Sequence, residues 1–151
     1  MLRLDPSAGT LTSTHRTFLQ TCLDTRAYQP ALLILKKDIH SIGPKSPNLA
    51  DGQFYCSVHN LSNSFISQKS GFTDKLDFHD VLEYYLLGAM VYIGLRDWTL
   101  TIFHLEHVLT APANNAANGP MLEAYKKWVL VSLLAAGKVS HPGISSALSR
   151  I

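Results

Sequence analysis

The nine residues from Trp128 to Ala136, WVLVSLLAA, hold a single polar side chain, Ser132. They follow the charged turn MLEAYKK and give way to Gly137-Lys138. No other feature restricts the fold so tightly, because a helix that is apolar nearly all round must be covered on most of its sides. The segment YYLLGAMVYIGL, residues 84–95, sets the same condition. Neither is long enough for a bilayer, whose core takes about 20 consecutive apolar residues. Both read as buried helices, and no membrane partner is expected.

Elsewhere the apolar residues recur at helical spacing. In 28–42, Tyr28, Leu32, Leu35, Ile39 and Ile42 step by 4, 3, 4 and 3, a stripe that predicts one helix ending at Gly43-Pro44. Pro30 fits its first turn, where a missing N–H costs little. Upstream, Phe18, Leu19, Cys22 and Leu23 share a face, and Asp24-Thr25-Arg26 makes a polar turn, so 14–42 reads as a helical hairpin. Residues 43–53 read as a loop, 54–67 as a helix with Phe54, Val58, Leu61 and Phe65 aligned, and 68–77 as a second loop. From Phe78 the apolar face widens to nearly all sides. Gly88 inside this helix costs about 1 kcal/mol relative to Ala, which predicts close approach of a neighbouring helix. Gly94-Leu95-Arg96-Asp97 reads as a turn; Trp98, Ile102, Leu105 and Leu109 then repeat the 4, 3, 4 stripe, making 78–111 a second hairpin. In 120–151, Glu123 and Lys127 form an i,i+4 pair, Gly137 ends the helix, and Ile144, Leu148 and Ile151 are in phase for one more. No convincing strand is found.

Two of the turns match. Arg26-Ala27-Tyr28 precedes PALLILKKDI, and Arg96-Asp97-Trp98 precedes TLTIFHLEHVL. Tyr28 and Trp98 lie 70 residues apart, close to two tetratricopeptide-sized units. A small residue follows each aromatic by three (Ala31, Thr101), and Leu35 or Leu105 comes four later. Tyr84, Leu87, Gly88 and Val91 occupy the first-helix positions of such a unit. The fold class expected is therefore all-α: a divergent tetratricopeptide-like helical-repeat solenoid, a right-handed stack of about seven helices in one domain spanning 1–151.

Composition narrows the partners. Charged residues make up 16% of the chain, against about 25% in ordinary globular chains, which suggests surfaces covered by something. A formal charge of +2, with basic residues paired only at Lys36-Lys37 and Lys126-Lys127, lacks the basic stripe that nucleic acid would require. Cys22 and Cys56 are two isolated thiols, expected buried and reduced. The start, MLRLDPSAGT, lacks the pattern of a secretory signal, so Asn60-Leu61-Ser62 reads as a chance glycosylation match.

Candidate chemistry is thin. His104-Leu105-Glu106-His107 is neither H-E-x-x-H nor H-x-x-E-H, and both histidines are expected on the polar side of the Trp98 helix, a solvated or interface face. Asp77 and His79 have no nucleophile near them. Phosphate-binding glycine motifs, G-x-S-x-G and C-x-x-C are all missing. Lys126-Lys127 reads as a solvated corner, and Tyr84, Tyr85, Tyr92 and Trp98 as core. No catalytic, cofactor-binding or metal-ligating residue is expected, nor a small-molecule substrate.

YYLLGAMVYIGLRDW, then TAPA at 110–113 and MLEAYKKWVLVSLLAAGKV, resembles the subunit-three family of the COP-nine (constitutive photomorphogenesis) signalosome. The resemblance is strong over 78–139 and weaker over 14–42. It implies a non-catalytic scaffold arm that precedes a C-terminal PCI winged helix, a domain not expected within 1–151. It also implies a complex that removes the ubiquitin-like modifier Nedd-eight from cullins through a zinc site on another subunit. Partners implied are other PCI-type signalosome subunits, notably one and eight, in cytoplasm and nucleus. The loops 43–53 and 68–77 look longer than the family needs. The rival readings are a repeat arm of a paralogous PCI subunit, from the proteasome lid or a translation initiation factor, and a free tetratricopeptide module binding peptide tails.

Overall fold

The computed structural model describes residues 9–42, 66, 71–112 and 119–139. The loop expected at 43–53 and the helix expected after Val139 lie outside the described residues, as do Cys56 and all of 54–67 except Ile66, which is buried.

The described chain is a stack of helices. Helix α1 (Ser13–Asp24) and α2 (Tyr28–Leu35) form one hairpin, α3 (Phe78–Leu95) and α4 (Trp98–Leu109) a second, and α5 (Gly119–Ala136) lies against α4 and α3. The starts of α1, α3 and α4 are each fixed by a side chain that takes a backbone donor left without an intrahelical partner. The Thr12 N–H donates to His15 Nδ1 at 3.1 Å ahead of α1. The Asp77 N–H donates to Asp80 at 2.8 Å ahead of α3, and Asp97 accepts from the Leu100 N–H at 3.1 Å in α4.

Helix α3 is apolar all round because it is the wall between two cores. Val81, Tyr84, Leu87, Val91 and Tyr92 pack with Leu19 and Cys22 of α1 and Ala31, Ile34 and Leu35 of α2. Leu82, Leu86 and Ala89 pack with Leu105, Val108 and Leu109 of α4 and Met121, Ala124 and Trp128 of α5. Each large side chain fully buried this way contributes about 1.5–3 kcal/mol. Gly88 sits where helices α2 and α4 both close on α3. A Cβ there would lie 2.9 Å from His104 Nδ1 and 2.9 Å from Leu35 Cδ2, the close approach that its place in the helix predicts. Tyr28 lies over Gly94 in the same way, its ring 2.6 Å from where a Cβ would be.

Three expectations change. The stripe Tyr28–Ile42 does not form one helix: α2 ends at Leu35, and Ser41–Ile42 become a short strand, β2. This strand pairs in parallel with β1 (Thr10–Leu11), Thr10 opposite Ser41 and Leu11 opposite Ile42, so a strand exists where none was expected. The His40 N–H also donates to the Gly9 carbonyl at 2.8 Å. Ile39 still packs against the first core, and for that reason the stripe looks unbroken. The backbone of 40–42 is paired with a segment about thirty residues upstream, not with another helical turn. Finally, Gly94 and Leu95 belong to α3, leaving Arg96 and Asp97 as the whole turn.

Candidate interaction surface

The two hairpin turns are built alike. Arg26 and Arg96 both adopt the left-handed conformation, φ 54° and 59°, uncommon for a residue with a side chain. The Ala27 N–H reaches back to the Cys22 carbonyl at 2.8 Å and the Arg26 N–H to Leu23 at 3.0 Å. Asp97 and Arg96 make the matching bonds to Tyr92 and Ile93, both at 3.0 Å. This Schellman pattern satisfies carbonyls that the helix end would otherwise leave open. After each turn the core positions repeat: Ala31 and Thr101 are fully buried, and Leu35 and Leu105 follow in the core. Gly137, φ 67°, stands at the equivalent place after α5.

His104 is not on a solvated face. It is buried beside Gly88, where the missing side chain leaves room for an imidazole. Tyr92 and Tyr85 flank the ring with centroids at 5.1 and 5.7 Å, and Phe103 meets it edge-on at 5.9 Å. No hydrogen bond is made by Nδ1. Burial, with the neighbouring His107 second, pushes its pKa down to about 4, so the ring is neutral near pH 7. His107, by contrast, is exposed, stacks on Tyr85 at 5.1 Å, and donates from Nδ1 to the Phe103 carbonyl at 2.9 Å. The pair is packing, and no group of three or more His, Cys, Asp or Glu residues among the described ones could hold a metal ion.

Six of the charged side chains are engaged with one another. Arg16 spans from α1 to α3, 2.6 Å from Asp80 and 2.9 Å from Glu83. The Asp77 N–H, and after it Arg16, hold the Asp80 carboxyl below its ordinary pKa. Lys127 pairs with Glu123 at 2.7 Å and Lys126 approaches the same carboxylate at 4.0 Å, so the lysine pair shares one acidic neighbour. Asp77 is a helix cap; Tyr84 and Tyr92 are buried and Tyr85 packs partly buried against both cores, as core readings require, whereas Trp98 is only half-buried. Burial pushes the Cys22 thiol up, and no disulfide involves it. Among the described residues no helix is long and apolar enough to cross a membrane.

Beside its exposed charges the structure offers shape and apolar surface outward. The outer side of α1 carries Thr14, Thr17 and Thr21, all exposed, at the repeat positions that hold the buried Tyr84, Leu87 and Val91 in α3. The outer side of α5 is the opposite: Leu130, Leu133 and Leu134 are 61%, 45% and 70% exposed. Sequence periodicity alone did not isolate this patch, since the whole run is apolar. Counting each helix back from its left-handed turn residue would have found it.

The family described as "COP9 signalosome complex subunit 3, N-terminal helical repeats" matches residues 1–149. Two relatives both carry the name COP9 signalosome complex subunit 3. That of Emericella nidulans is 35% identical over 133 residues, 88% of this chain and 27% of the relative. That of Neurospora crassa is 32% identical over 139 residues, 91% of this chain and 28% of the relative. The chain thus spans about a quarter of the length of these relatives. With helical repeats on both sides of the comparison, the chain belongs to the family of N-terminal helical repeats of COP9 signalosome complex subunit 3.

Proposed function

We propose that this chain is the helical-repeat arm of a signalosome subunit and that it acts without catalysis, as a scaffold. The observation that supports this most is that the in-register repeat spans both hairpins, Arg26–Ala31–Leu35 and Arg96–Thr101–Leu105, within a family match covering residues 1–149. Such stacks present long surfaces, and their side chains serve packing more than chemistry. The partners this reading names are other PCI-type signalosome subunits, one and eight foremost, in nucleus and cytoplasm. Exposed apolar side chains along the second helices, Leu33 on α2 and Leu100 and Phe103 on α4, give such partners something to bury.

The test is affinity purification of the tagged chain from cells of its own source. Signalosome subunits one and eight should co-purify in stoichiometric amounts, and the isolated chain should show neither bound zinc nor deneddylating activity. Recovery of proteasome-lid or initiation-factor subunits in their place sinks the reading. Fluorescence of the tagged chain confined to one of the two compartments refutes the localisation.

A further inference from the structure

The two return helices, α2 and α4, carry the same outward row. Counted from each left-handed arginine, steps of 4 and 3 lead along one face: Arg26, Pro30 and Leu33, then Arg96, Leu100 and Phe103. All six are exposed, Leu33 by 62% and Phe103 by 52%. The rows lie side by side and run the same way. At the turn end Tyr28 lies over Gly94, two residues before Arg96; further along, Leu35 and His104 meet at Gly88. Neither Arg26 nor Arg96 has an ion-pair partner among the described residues, although Arg16 holds two carboxylates. The acids nearest to them in sequence are engaged elsewhere: Asp24 accepts from Gln20 Nε2 at 2.8 Å and Asp97 from the Leu100 N–H. Backbone geometry does not call for arginine at these turns. Glycine takes the left-handed conformation without strain, and Gly137 does so after α5.

We infer that the two rows are a docking surface for one amphipathic helix of a partner protein, its apolar side chains packed on Leu33 and Phe103 and a carboxylate-bearing turn seated on Arg26 and Arg96. Two helices running side by side form a groove, and an amphipathic helix lays its apolar face into such a groove. Charge complementarity sets the chemistry at the turn end: a guanidinium pairs a carboxylate bidentately and is weakly hydrated enough to be covered. A nucleic acid or a lipid surface fits less well. Asp38 and Glu106 stand toward the far ends of α2 and α4, where a continuous anion would meet them. The inference rests on the scaffold reading for its need of a partner and adds what that partner must present.

Photo-cross-linking tests it, on the tagged full chain purified with its partners from cells of its own source. Benzoylphenylalanine in place of Leu33, or of Phe103, should attach to one helical segment of a partner, with Asp or Glu within about two turns of the attachment point. Arg26→Gly with Arg96→Gly should lower the yield about tenfold while leaving the melting temperature unchanged or higher, because glycine suits both turns. Arg26→Gln with Arg96→Gln, which removes the charge and keeps a side chain, should lower it equally; the paired lysine variants should retain most of it. An attached segment without carboxylates overturns the inference, as does attachment to a second copy of this chain or a yield that neither the glycine nor the glutamine variant lowers. Absence of any cross-link overturns it too; if signalosome subunits one and eight still co-purify, the scaffold reading stands. A cross-link to a carboxylate-bearing helix without those subunits keeps the docking surface and refutes the signalosome assignment.

Discussion

At one end of the stack α1 turns Thr14, Thr17 and Thr21 outward; at the other α5 turns Leu130, Leu133 and Leu134 outward. Both faces lack a described neighbour, yet only the first is made for water. Threonine is a poorer helix former than alanine or leucine, by up to about 0.7 kcal/mol per residue, so its choice on α1 favours solvation over helix propensity. Two of the hydroxyls are satisfied within α1 itself: Thr17 donates to the Ser13 carbonyl at 3.2 Å and Thr21 to the Thr17 carbonyl at 2.8 Å. Among the described helices α1 thus carries the polar outer side that a solvent-facing repeat needs. The leucines of α5 are in this respect unfinished. The difference teaches that a repeat position is buried or exposed according to the neighbour the stack supplies, and that its composition records which.

The sharpest way to break the contrast is to attack the inner side of α5, where Trp128 is buried among Leu82, Leu86 and Leu105. Trp128→Ala should cost about 3–5 kcal/mol in urea unfolding, the usual range for deleting a buried large aromatic. A loss below about 1 kcal/mol would mean that α5 is not held to the stack by this face, and the two ends could no longer be compared.

Next in size is an effect of pH on the junction between the ends. His104 is neutral in the fold with a pKa of about 4, against an ordinary 6.5. As pH falls below 6.5 the unfolded chain takes up a proton that the folded chain refuses, so stability present above 6.5 is lost progressively toward about 4. The full loss approaches about 3 kcal/mol, because each pKa unit is worth about 1.4 kcal/mol. Urea unfolding at a series of pH values measures it. His104→Leu should flatten the curve between pH 6.5 and about 4, leaving below it the separate contribution of carboxylates such as Asp80, whose lowered pKa acts in a more acid window. An unchanged slope in that variant would assign the loss elsewhere.

Gly88→Ala should then cost about 1 kcal/mol net. Alanine gains about 1 kcal/mol of helix propensity, but the new methyl meets His104 and Leu35, and overpacking of this kind costs about 1–3 kcal/mol. The Leu35 methyl can turn aside, whereas the His104 ring is held by Tyr92 and Tyr85. A stabilised variant in thermal melts would show that the α2–α3–α4 junction has slack. Smaller again is Arg16→Ala, at the polar end. Its ion pairs with Asp80 and Glu83 are partly exposed, and such pairs are worth about 1 kcal/mol or less, declining with added salt. A salt-independent loss would mean that the arginine stem, not its charge, ties α1 to α3.

Much of this arrangement was legible in the residues because it is local. The stripes at 98–109 and the matched turns at Arg26 and Arg96 follow from spacing alone, and Gly88 announced a close contact by its cost in a helix. Long-range features were not legible. Ile39 and Ile42 stay in helical phase with Leu35, yet β1, about thirty residues upstream, takes the backbone of 41–42 out of the helix. His104 reads as polar and exposed until the space above Gly88, on a different helix, is known. The leucine patch on α5 was hidden for the reverse reason: from Trp128 to Ala136 nearly every side of that helix is apolar, so periodicity cannot tell the covered side from the open one.

The least energetic change is also the most direct test of what makes the two ends different. Thr17→Leu with Thr21→Leu would give α1 an apolar outer side like that of α5, at positions that are already exposed. Leucine is the better helix former, and exposed substitutions seldom shift stability by more than about 0.5 kcal/mol, so the melting temperature should barely move. Solution behaviour should change nonetheless. Two added leucines on adjacent turns create a contiguous apolar patch, which soluble chains hide by association. Light scattering should therefore report a mass that rises with concentration beyond that of the parent chain, and Thr17→Ser with Thr21→Ser should not. If the leucine variant matches the parent at every concentration, threonine at these positions is not what keeps the α1 end from self-association.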